Sequence, residues 1–458
     1  MEKLNIGWNR LYSIRSYVRS SLWIVPVLAL IAALVLKRLA ECLGGWMVRQ
    51  GFYDLKTGFL ALSATEAHAF LDRIFTLSLT CLVFTFGSLL VAIQVAGGQY
   101  TPRIIATTLL RDKVIRRIVG LFVFTLLWAN RTMVQLGNEA YVPQFQVFLV
   151  VVCGTFSIIA FIVLIDYCAK LLRPVNLVRL VGKQGLEVIE SVYPDPTRNV
   201  AVPARKRSGE AASRTSRRTA FKTQPAVKRS TPDRVIHHSG MSGTVLAVNL
   251  QGLVTEAQRA DTIIEIVPQV GDFLAVDEPL FYLYGNAEAI DERRLLTLIA
   301  LGSERTMEQD PMFSFRIEVD IALKALSPAI NDPTTAVLAI DQLHRLLRKV
   351  GNRSLRAHEI TDNAGQPRVV FRTPNWEDFV HITFREIRQC GVGSIQIARR
   401  LRAMALNLIQ TLPEHRRPAL IEEMDLLDRA IAQQHMFPED AALARIPDSQ
   451  GLGGASLT

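Results

Sequence analysis

The sequence predicts an α-helical membrane protein with four transmembrane helices, followed by a cytoplasmic half of the α+β class. Hydrophobic residues make up 49% of the 458 residues, and the first 170 positions contain apolar runs long enough to cross a bilayer. Residues 205–234 hold ten Lys or Arg against two acids. Beyond them, short runs of β-branched and aromatic residues precede helical periodicity, which predicts a small β-module before a mainly helical domain.

These shifts in composition divide the chain into five parts. We expect a four-helix transmembrane domain, a juxtamembrane helix with a basic disordered linker, a small β-module of barrel-sandwich-like form, a helical cytoplasmic domain and a disordered tail. In the same order, these parts cover residues 1–170, 171–234, 235–285, 286–446 and 447–458.

The first predicted span is the apolar run 22–36, which Lys37 and Arg38 follow. This run is shorter than the roughly 20 residues that a crossing needs. Snorkelling of the flanking bases and continuation toward Leu43 supply the missing length. A secretory signal peptide is the alternative, and we disfavour it because further spans follow and no small-residue cleavage site is close.

The second predicted span begins at a capping box in which Ser63 is the N-cap and Glu66 is the third helical residue. The helix continues into residues 74–96, which contain no charge. Small and polar residues recur on one face of this helix at spacings of three and four, among them Ser78, Thr85 and Ser88. Such a face either lines a polar pathway or lets helices approach closely, and we favour the packing interpretation.

The third and fourth predicted spans are centred on residues 118–129 and 145–165. Arg131 follows the third apolar run. At membrane depth Arg131 would be a functional candidate, because a buried charge there is costly. If the span begins near Val114, Arg131 marks the outer boundary, and we favour that interpretation. The candidate membrane pathway therefore consists of Ser78, Thr85, Ser88 and Arg131.

The distribution of Lys and Arg predicts the orientation in the membrane. The N-terminal flank and the segment after the fourth span are basic. The loop between the second and third spans holds five bases, whereas the loop between the third and fourth spans holds only Arg131. The N- and C-termini are therefore expected in the cytoplasm.

The basic linker, residues 205–234, is expected to attract anionic lipid headgroups of the bilayer, at about 1 kcal/mol for each base near the surface. Nucleic acid is not an expected partner, because the segment has almost no aromatic residues on which bases stack.

Three runs in the predicted β-module, residues 242–248, 262–268 and 278–284, have the composition of strands. Their pattern resembles half of a lipoyl or biotinyl carrier fold. The stretch from Glu256 to Asp261 contains no Lys to carry such a group, so we expect no cofactor. The module is predicted to serve packing or assembly.

The helical domain contains two helices joined by the turn SPAINDPTTA. Pro328 ends the first helix, and Asp332 followed by Pro333 is a strong start for the second. A hairpin around residues 362–366 precedes helices predicted at 375–390, 394–411 and 414–435. The basic cluster on the second of these, Arg399, Arg400 and Arg402, is expected to face solvent.

Asp310, Asn331 and Asp332 form the candidate functional turn. Asp332 serves as a cap, but capping does not require Asn331, and Asp310 lies away from any cap predicted here. Asp310, Asp332 and Asp341 would hold a divalent cation only if the two helices pair closely. Glu377 and His381 are a weak pair, so no metal is expected. No nucleophile–base constellation or nucleotide-binding motif is recognisable, and an enzyme is not favoured.

The motifs SPAINDPTTA, ERTMEQDP and QVAGGQYTPR together resemble a bacterial family of predicted integral membrane proteins, a domain of unknown function numbered "twenty-two fifty-four". The resemblance extends over roughly residues 10–440. It implies a multi-pass protein of the bacterial inner membrane and implies no activity.

Two functional hypotheses follow. The first is a channel- or transporter-like protein, acting alone or as a homo-oligomer, because of the four spans and the polar face of the second. The alternative is a membrane-tethered sensor or scaffold whose cytoplasmic domain binds a ligand or a protein partner.

Overall fold

The structure is a computed structural model. It describes residues 7–12, 24–49, 62–99, 112–138, 142, 144–171, 173–193, 231–355, 359–362 and 364–453. Of the basic segment predicted to bind lipid headgroups, residues 205–230 lie outside these ranges.

Four long helices form the N-terminal half: α1 Ile24–Arg49, α2 Ala64–Gln99, α3 Lys113–Asn138 and α4 Gln144–Leu171. The predicted capping box begins α2. The Ser63 backbone amide donates to Glu66 Oε2 at 2.8 Å, and the Glu66 amide donates to Ser63 Oγ at 3.3 Å.

Three of these helices contain stretches long and apolar enough to cross a membrane: Ala64–Val95, Lys113–Gly137 and Gln144–Lys170. Among the described residues, α1 does not contain such a stretch, and Lys37, Arg38 and Glu41 follow its apolar run in the sequence. Length and hydropathy therefore support three of the four predicted spans.

The four helices pack side by side as a bundle. At one end, Ala40 of α1, Leu71 of α2, Leu136 of α3 and Val147 of α4 belong to one apolar core. Toward the other end of α1, Val25 lies so close to α3 that a Cβ on Gly120 would come within 2.6 Å of it. Helix α1 therefore runs alongside α3 for most of its length.

Helix α5, Pro174–Val192, follows α4 after a short break and packs against the C-terminal half. The sequence predicts the juxtamembrane helix over residues 174–192, and these bounds agree with that prediction. The side chains of Leu177, Val181 and Ile189 are fully buried in the core that α5 shares with the C-terminal helices. The end of the bundle that contains Leu89 of α2 and Ile115 of α3 belongs to this same core.

Within the described residues, eight strands make two sheets. The strands are β1 Arg234–His237, β2 Gly243–Val248, β3 Thr262–Ile266, β4 Phe273–Leu274, β5 Pro279–Gly285, β6 Ile299–Gly302, β7 Glu359–Thr361 and β8 Pro367–Val370. The sheet orders are β1-β5-β3-β8-β7 and β4-β2-β6. Strands β2, β3 and β5 confirm the three predicted runs, and β7 with β8 confirms the predicted hairpin.

The β-part differs from the predicted barrel-sandwich-like module in two respects. Helix α6, Leu250–Ala260, occupies the connection between β2 and β3, and the Asn249 side chain caps it by accepting from the Gly252 amide. Strand β8 pairs in parallel with β3, Ile264 opposite Val369, so the larger sheet includes chain from well beyond residue 285. A short helix, α7 Glu292–Leu296, precedes β6.

Six helices form the C-terminal helical unit: α8 Pro311–Ala325, α9 Pro333–Gly351, α10 Trp376–Gly391, α11 Ile395–Thr411, α12 Arg417–Gln434 and α13 Pro438–Ala444. The helix pair around SPAINDPTTA and the later helices agree with the prediction. Phe315 of α8 contacts Phe379 of α10, with ring centroids 5.0 Å apart. This unit and the sheets together make the C-terminal half an α+β structure.

The prediction of a solvent-facing arginine cluster on α11 is wrong. Arg399, Arg400 and Arg402 are all buried, with Arg399 only 1% exposed. Arg400 Nε donates to Asp341 Oδ1 at 2.7 Å, and Arg402 pairs with Asp428. The reason is that α9 and α12 cover the face of α11 that was predicted to be exposed to solvent.

Residues 447–453, which were predicted to belong to a disordered tail, pack over α11. Arg399 donates to the carbonyl oxygens of Ile446 and Gly453, each at 3.0 Å. Asp448 accepts from the backbone amides of Gly451 and Gly453 at 2.9 and 2.8 Å. The segment is ordered because buried guanidinium groups need carbonyl acceptors. Residues 454–458 lie outside the described residues.

Candidate functional site

A cleft of about 420 Å³ opens where α5, the sheets and the helical unit meet. Its walls come from the C-terminal end of α5, the segments that follow β3 and β8, and the segment that leads into α8. These are residues 191–193, 266, 268–270, 371–374 and 308–311, together with Val248 and Leu250 at the junction of β2 and α6. The cleft is thus assembled from parts of the chain that are far apart in sequence.

Asp310 lies in the wall of this cleft and caps α8. Its Oδ1 accepts from the Phe313 amide at 3.1 Å, and Pro311 occupies the first helical position. Asp310 Oδ2 accepts from Arg305 Nε at 2.5 Å. The sequence prediction that Asp310 lies away from a cap is therefore wrong, because the Asp-Pro pair starts α8 just as Asp332-Pro333 starts α9.

The Asp310 carboxyl is held in a confined space. It is 3% exposed, and burial raises its pKa, while Arg305 and the Phe313 amide act in the opposite direction. Gly271 has a φ of +97°, and a Cβ there would lie 2.6 Å from Asp310 Oδ2. Glycine is needed at this turn both for the left-handed backbone and for the close approach to the ion pair.

The cleft has apolar walls and polar groups at defined points. Tyr193, at the end of α5, is 1% exposed, and its ring packs edge-on to Phe379 with centroids 6.2 Å apart. Gln309 Oε1 accepts from the Val248 amide at 3.1 Å, which fastens the start of α8 to β2. Glu308 and Arg372 bring opposite charges to the same lining. Apolar walls with a few fixed polar groups are typical of a small-molecule site.

Asn331 and Asp332 lie at the opposite end of α8 from Asp310. The fifteen residues of α8 separate them, a length of about 22 Å at 1.5 Å per residue. The structure therefore does not bring the three residues of the candidate turn together. Within the described residues there is also no group of three His, Cys, Asp or Glu placed to hold a metal ion.

The turn residues have local roles in the chain. Asn331 has a φ of +47°, and its amide donates to the Ser327 carbonyl at 2.9 Å. Asn tolerates this left-handed conformation better than most residues, which accounts for its presence after α8. Asp332 caps α9 by accepting from the Thr335 amide at 3.0 Å and from the Thr335 hydroxyl at 2.5 Å. A functional role for this turn stays a prediction.

The four candidate membrane residues occupy different environments. Ser78 and Thr85 are buried between helices, Ser88 is half-buried, and Arg131 is exposed on the outer surface of the bundle. The Thr85 hydroxyl donates to the Cys81 carbonyl of its own helix at 2.7 Å. The Ser78 hydroxyl has no hydrogen-bond partner among the described residues. Their membrane role likewise stays a prediction.

Two further features were not predicted from the sequence. Thr125 of α3 and Ser157 of α4 form a buried hydroxyl pair, with their oxygens 3.1 Å apart. Glu318 of α8 is fully buried, and neither carboxyl oxygen has a hydrogen-bond partner among the described residues. The sequence does carry one indication that Glu318 is buried. Glu318 lies four residues after Ser314, on a face of α8 whose other residues are apolar.

Comparison with known proteins gives a family match and distant relatives. The sequence model of a family described as "Predicted membrane protein (DUF2254)" matches residues 19–407. The uncharacterized protein Mb1321c of Mycobacterium bovis is 22% identical over an alignment of 449 residues, and the alignment covers 95% of this chain and 81% of that protein. The uncharacterized protein Rv1290c of Mycobacterium tuberculosis matches to the same extent. No solved structure matches the chain.

Proposed function

The chain belongs to the DUF2254 family of predicted membrane proteins, and from that premise we propose that it crosses the membrane four times and binds a small ligand in its cytoplasmic cleft. The supporting observation is the cleft itself. Its volume of about 420 Å³ falls in the usual range for small-molecule sites, roughly 300 to 1,000 Å³. Its lining includes the last residues of α5, which continues from the bundle.

The argument for a fourth span is one of parity. The Asn9 amide donates to the Thr297 carbonyl at 3.0 Å, and the Asn9 side chain donates to the Leu296 carbonyl at 3.4 Å. The N-terminal segment, residues 7–12, therefore contacts the same C-terminal half that α5 joins. A chain that begins and ends on one side of a membrane crosses it an even number of times. Three crossings do not satisfy this condition, and four do if α1 is included.

Helix α1 has the position that a fourth span requires. It runs from Val25, beside Gly120 near the start of α3, to Ala40 in the core at the far end of the bundle. Its charged residues, from Lys37 onward, follow the apolar run in the sequence. Residues 100–117, which lead from α2 into the start of α3 in the sequence, hold five Lys or Arg, so the positive-inside rule supports a cytoplasmic location for both termini.

Cysteine labelling tests this topology. The five native cysteines are replaced by Ser, and Arg10→Cys, Gly137→Cys and Glu439→Cys are introduced singly. An impermeant maleimide added to intact cells is expected to label the Gly137→Cys protein, and to label the other two only after the cells are permeabilised. Labelling of Arg10→Cys in intact cells contradicts the four-span arrangement.

A ligand screen tests the cleft. Gln269→Trp places a large ring at the cleft lining, and Gln433→Trp makes the same change on the exposed surface of α12. We expect a compound from a panel of small metabolites to raise the melting temperature of the full chain and of the Gln433→Trp variant, but not of the Gln269→Trp variant. An equal shift in all three places binding elsewhere and refutes the proposal.

A channel or transporter is the second candidate. The observation in its favour is the buried hydroxyl of Ser78, which has no hydrogen-bond partner among the described residues and would coordinate a translocated ion or bind a water molecule. The neighbouring hydroxyls favour a packing role instead, because the Thr85 hydroxyl donates to a carbonyl of its own helix and the Thr125 hydroxyl pairs with that of Ser157. Reconstituted protein that passes solute in a flux assay, with loss of flux in Ser78→Ala, would favour transport over the cleft proposal.

Contact with anionic headgroups through residues 205–234 is also proposed, because the segment lies close after the bundle in sequence. Co-sedimentation of the full chain in nanodiscs with vesicles rich in phosphatidylserine tests it. Replacing the ten bases with Gln is expected to abolish binding, and unchanged binding contradicts the proposal. A homo-oligomer stays a prediction, which the mass of the detergent-solubilised protein can test.

A further inference from the structure

The seam between α5 and α8 is unusually close. A Cβ on Gly185 would lie 2.8 Å from Ser314 Cβ, and a Cβ on Gly182 would lie 2.5 Å from Gln342 Oε1 of α9. The two glycines are three residues apart and therefore share one face of α5. They let the backbone of α5 approach the two helices that begin the helical unit.

Glu318 faces this seam one turn after Ser314. It is fully buried, and neither of its oxygens has a hydrogen-bond partner among the described residues. Burial raises the pKa of Glu318 well above its ordinary value. The Gly182 amide opposes this shift, although it does not meet hydrogen-bond geometry at either oxygen. A carboxyl group in this position is far more stable neutral than ionised.

The charged groups on the three helices packed against α8 do not neutralise Glu318. On α5, Arg179 and Lys183 are exposed. On α9, Arg345 donates to Gln342 of the same helix. On α10, Glu386 accepts a hydrogen bond from the guanidinium of Arg316, which belongs to α8. An ionised Glu318 would therefore be a buried charge without compensation, and separation of the seam is the direct way to hydrate it.

We propose that Glu318 is a proton-binding site that controls the contact between α5 and the helical unit. With its proton in place, the carboxyl remains in the seam and α5 stays docked. Loss of the proton to water leaves a carboxylate that draws water into the seam and loosens α5. The proposal rests on the α5–α8 contact alone and does not depend on a ligand in the cleft.

Helix α5 connects the region of Glu318 to two other parts of the molecule, the membrane bundle and the cleft. Helix α5 follows directly from α4, so a change in its docking reaches the membrane bundle. The opposite end of α5, at Tyr193, lines the cleft together with Pro311 at the start of α8. Protonation of one side chain would thus change the relation between the bundle and the cleft.

Hydrogen exchange of the α5 amides in the full chain, held in nanodiscs, tests the proposal. After correction for the intrinsic pH dependence of exchange, we expect protection over residues 174–192 to fall about tenfold or more as pH rises through the titration of Glu318. Glu318→Gln keeps a neutral group of the same shape, and its α5 should stay protected at every pH. Glu439→Gln, an exposed acid on α13, is the matched control and should behave as the wild type.

A second variant opens the seam without changing any charge. Gly185→Ala brings a methyl group within 2.8 Å of Ser314 Cβ, so α5 should exchange rapidly at all pH values. Infrared difference spectra give an independent readout: a protonated carboxylic-acid band is expected in the wild type and should be absent in Glu318→Gln. The proposal is overturned if Glu318→Gln retains the pH dependence of the wild type, or if protection in the wild type is independent of pH over the range in which the protein stays folded.

Discussion

Replacement of Asp310 by Ala removes two interactions of different kinds from one position. The first is the cap of α8, in which Asp310 Oδ1 accepts from the Phe313 amide, and losing such a cap costs about 1 kcal/mol. The second is the ion pair with Arg305, whose side chain is 36% exposed while that of Asp310 is 3% exposed. Because the arginine is partly hydrated, we discount the buried-pair value and assign it about 1–2 kcal/mol. The expected destabilisation is therefore about 2–3 kcal/mol in total.

Asp332→Ala is the matched control, because Asp332 caps α9 with the same Asp-Pro sequence but pairs with no arginine in the hydrogen bonds and ion pairs described. Its expected cost is about 1 kcal/mol. Asp310→Asn separates the two contributions, since Asn keeps the ability to cap and loses the charge. Its cost should fall below that of Asp310→Ala.

Pulse proteolysis of the full chain in detergent micelles measures these differences in the free energy of unfolding. The expected order is Asp310→Ala as the most destabilised variant, with Asp310→Asn and Asp332→Ala both milder. Equal destabilisation by Asp310→Ala and Asp332→Ala would refute the reasoning, because it would mean that the ion pair in the cleft wall contributes nothing.

Three other substitutions test single features by the same assay. Gly271→Ala should destabilise the protein by about 1–3 kcal/mol, because it forces a Cβ into a left-handed turn and toward Asp310; a neutral result contradicts the close approach. Asn331→Gly should be neutral, whereas Asn331→Val should cost about 1–2 kcal/mol; equal effects would show that the left-handed backbone is unimportant. For Glu318 the folded-state pKa lies above that of the unfolded chain, so stability should fall as pH rises from the ordinary carboxyl range through the raised value. Glu318→Gln should flatten this decline, and an unchanged slope assigns it to another group.

Local signals in the sequence predicted local structure well. The capping box at Ser63, the Asp332-Pro333 helix start and the strand composition of residues 262–268 each depend on neighbours in the chain, and each is confirmed. The Asp310-Pro311 pair carries the same signal as Asp332-Pro333, so the cap of α8 was predictable from the rule that identified α9.

The features that were not predicted depend on contacts between distant residues. The burial of Arg399 requires α11 to be covered by the segment around Ile446 and Gly453, which composition does not show. The parallel pairing of β8 with β3 joins residues about a hundred positions apart. The cleft draws its walls from five separate segments, so a motif search does not find it. Glu318 was not singled out from the sequence, because its burial depends on α5, which lies more than a hundred positions earlier in the chain.

Native mass spectrometry of the full chain released from detergent shows whether the cleft beside Asp310 holds a small ligand. Wild-type protein incubated with a metabolite extract is expected to carry a bound small molecule. The Gln433→Trp variant should carry the same mass, and the Gln269→Trp variant should lose it. A bound mass present equally in all three proteins, or absent from the wild type, would contradict the account.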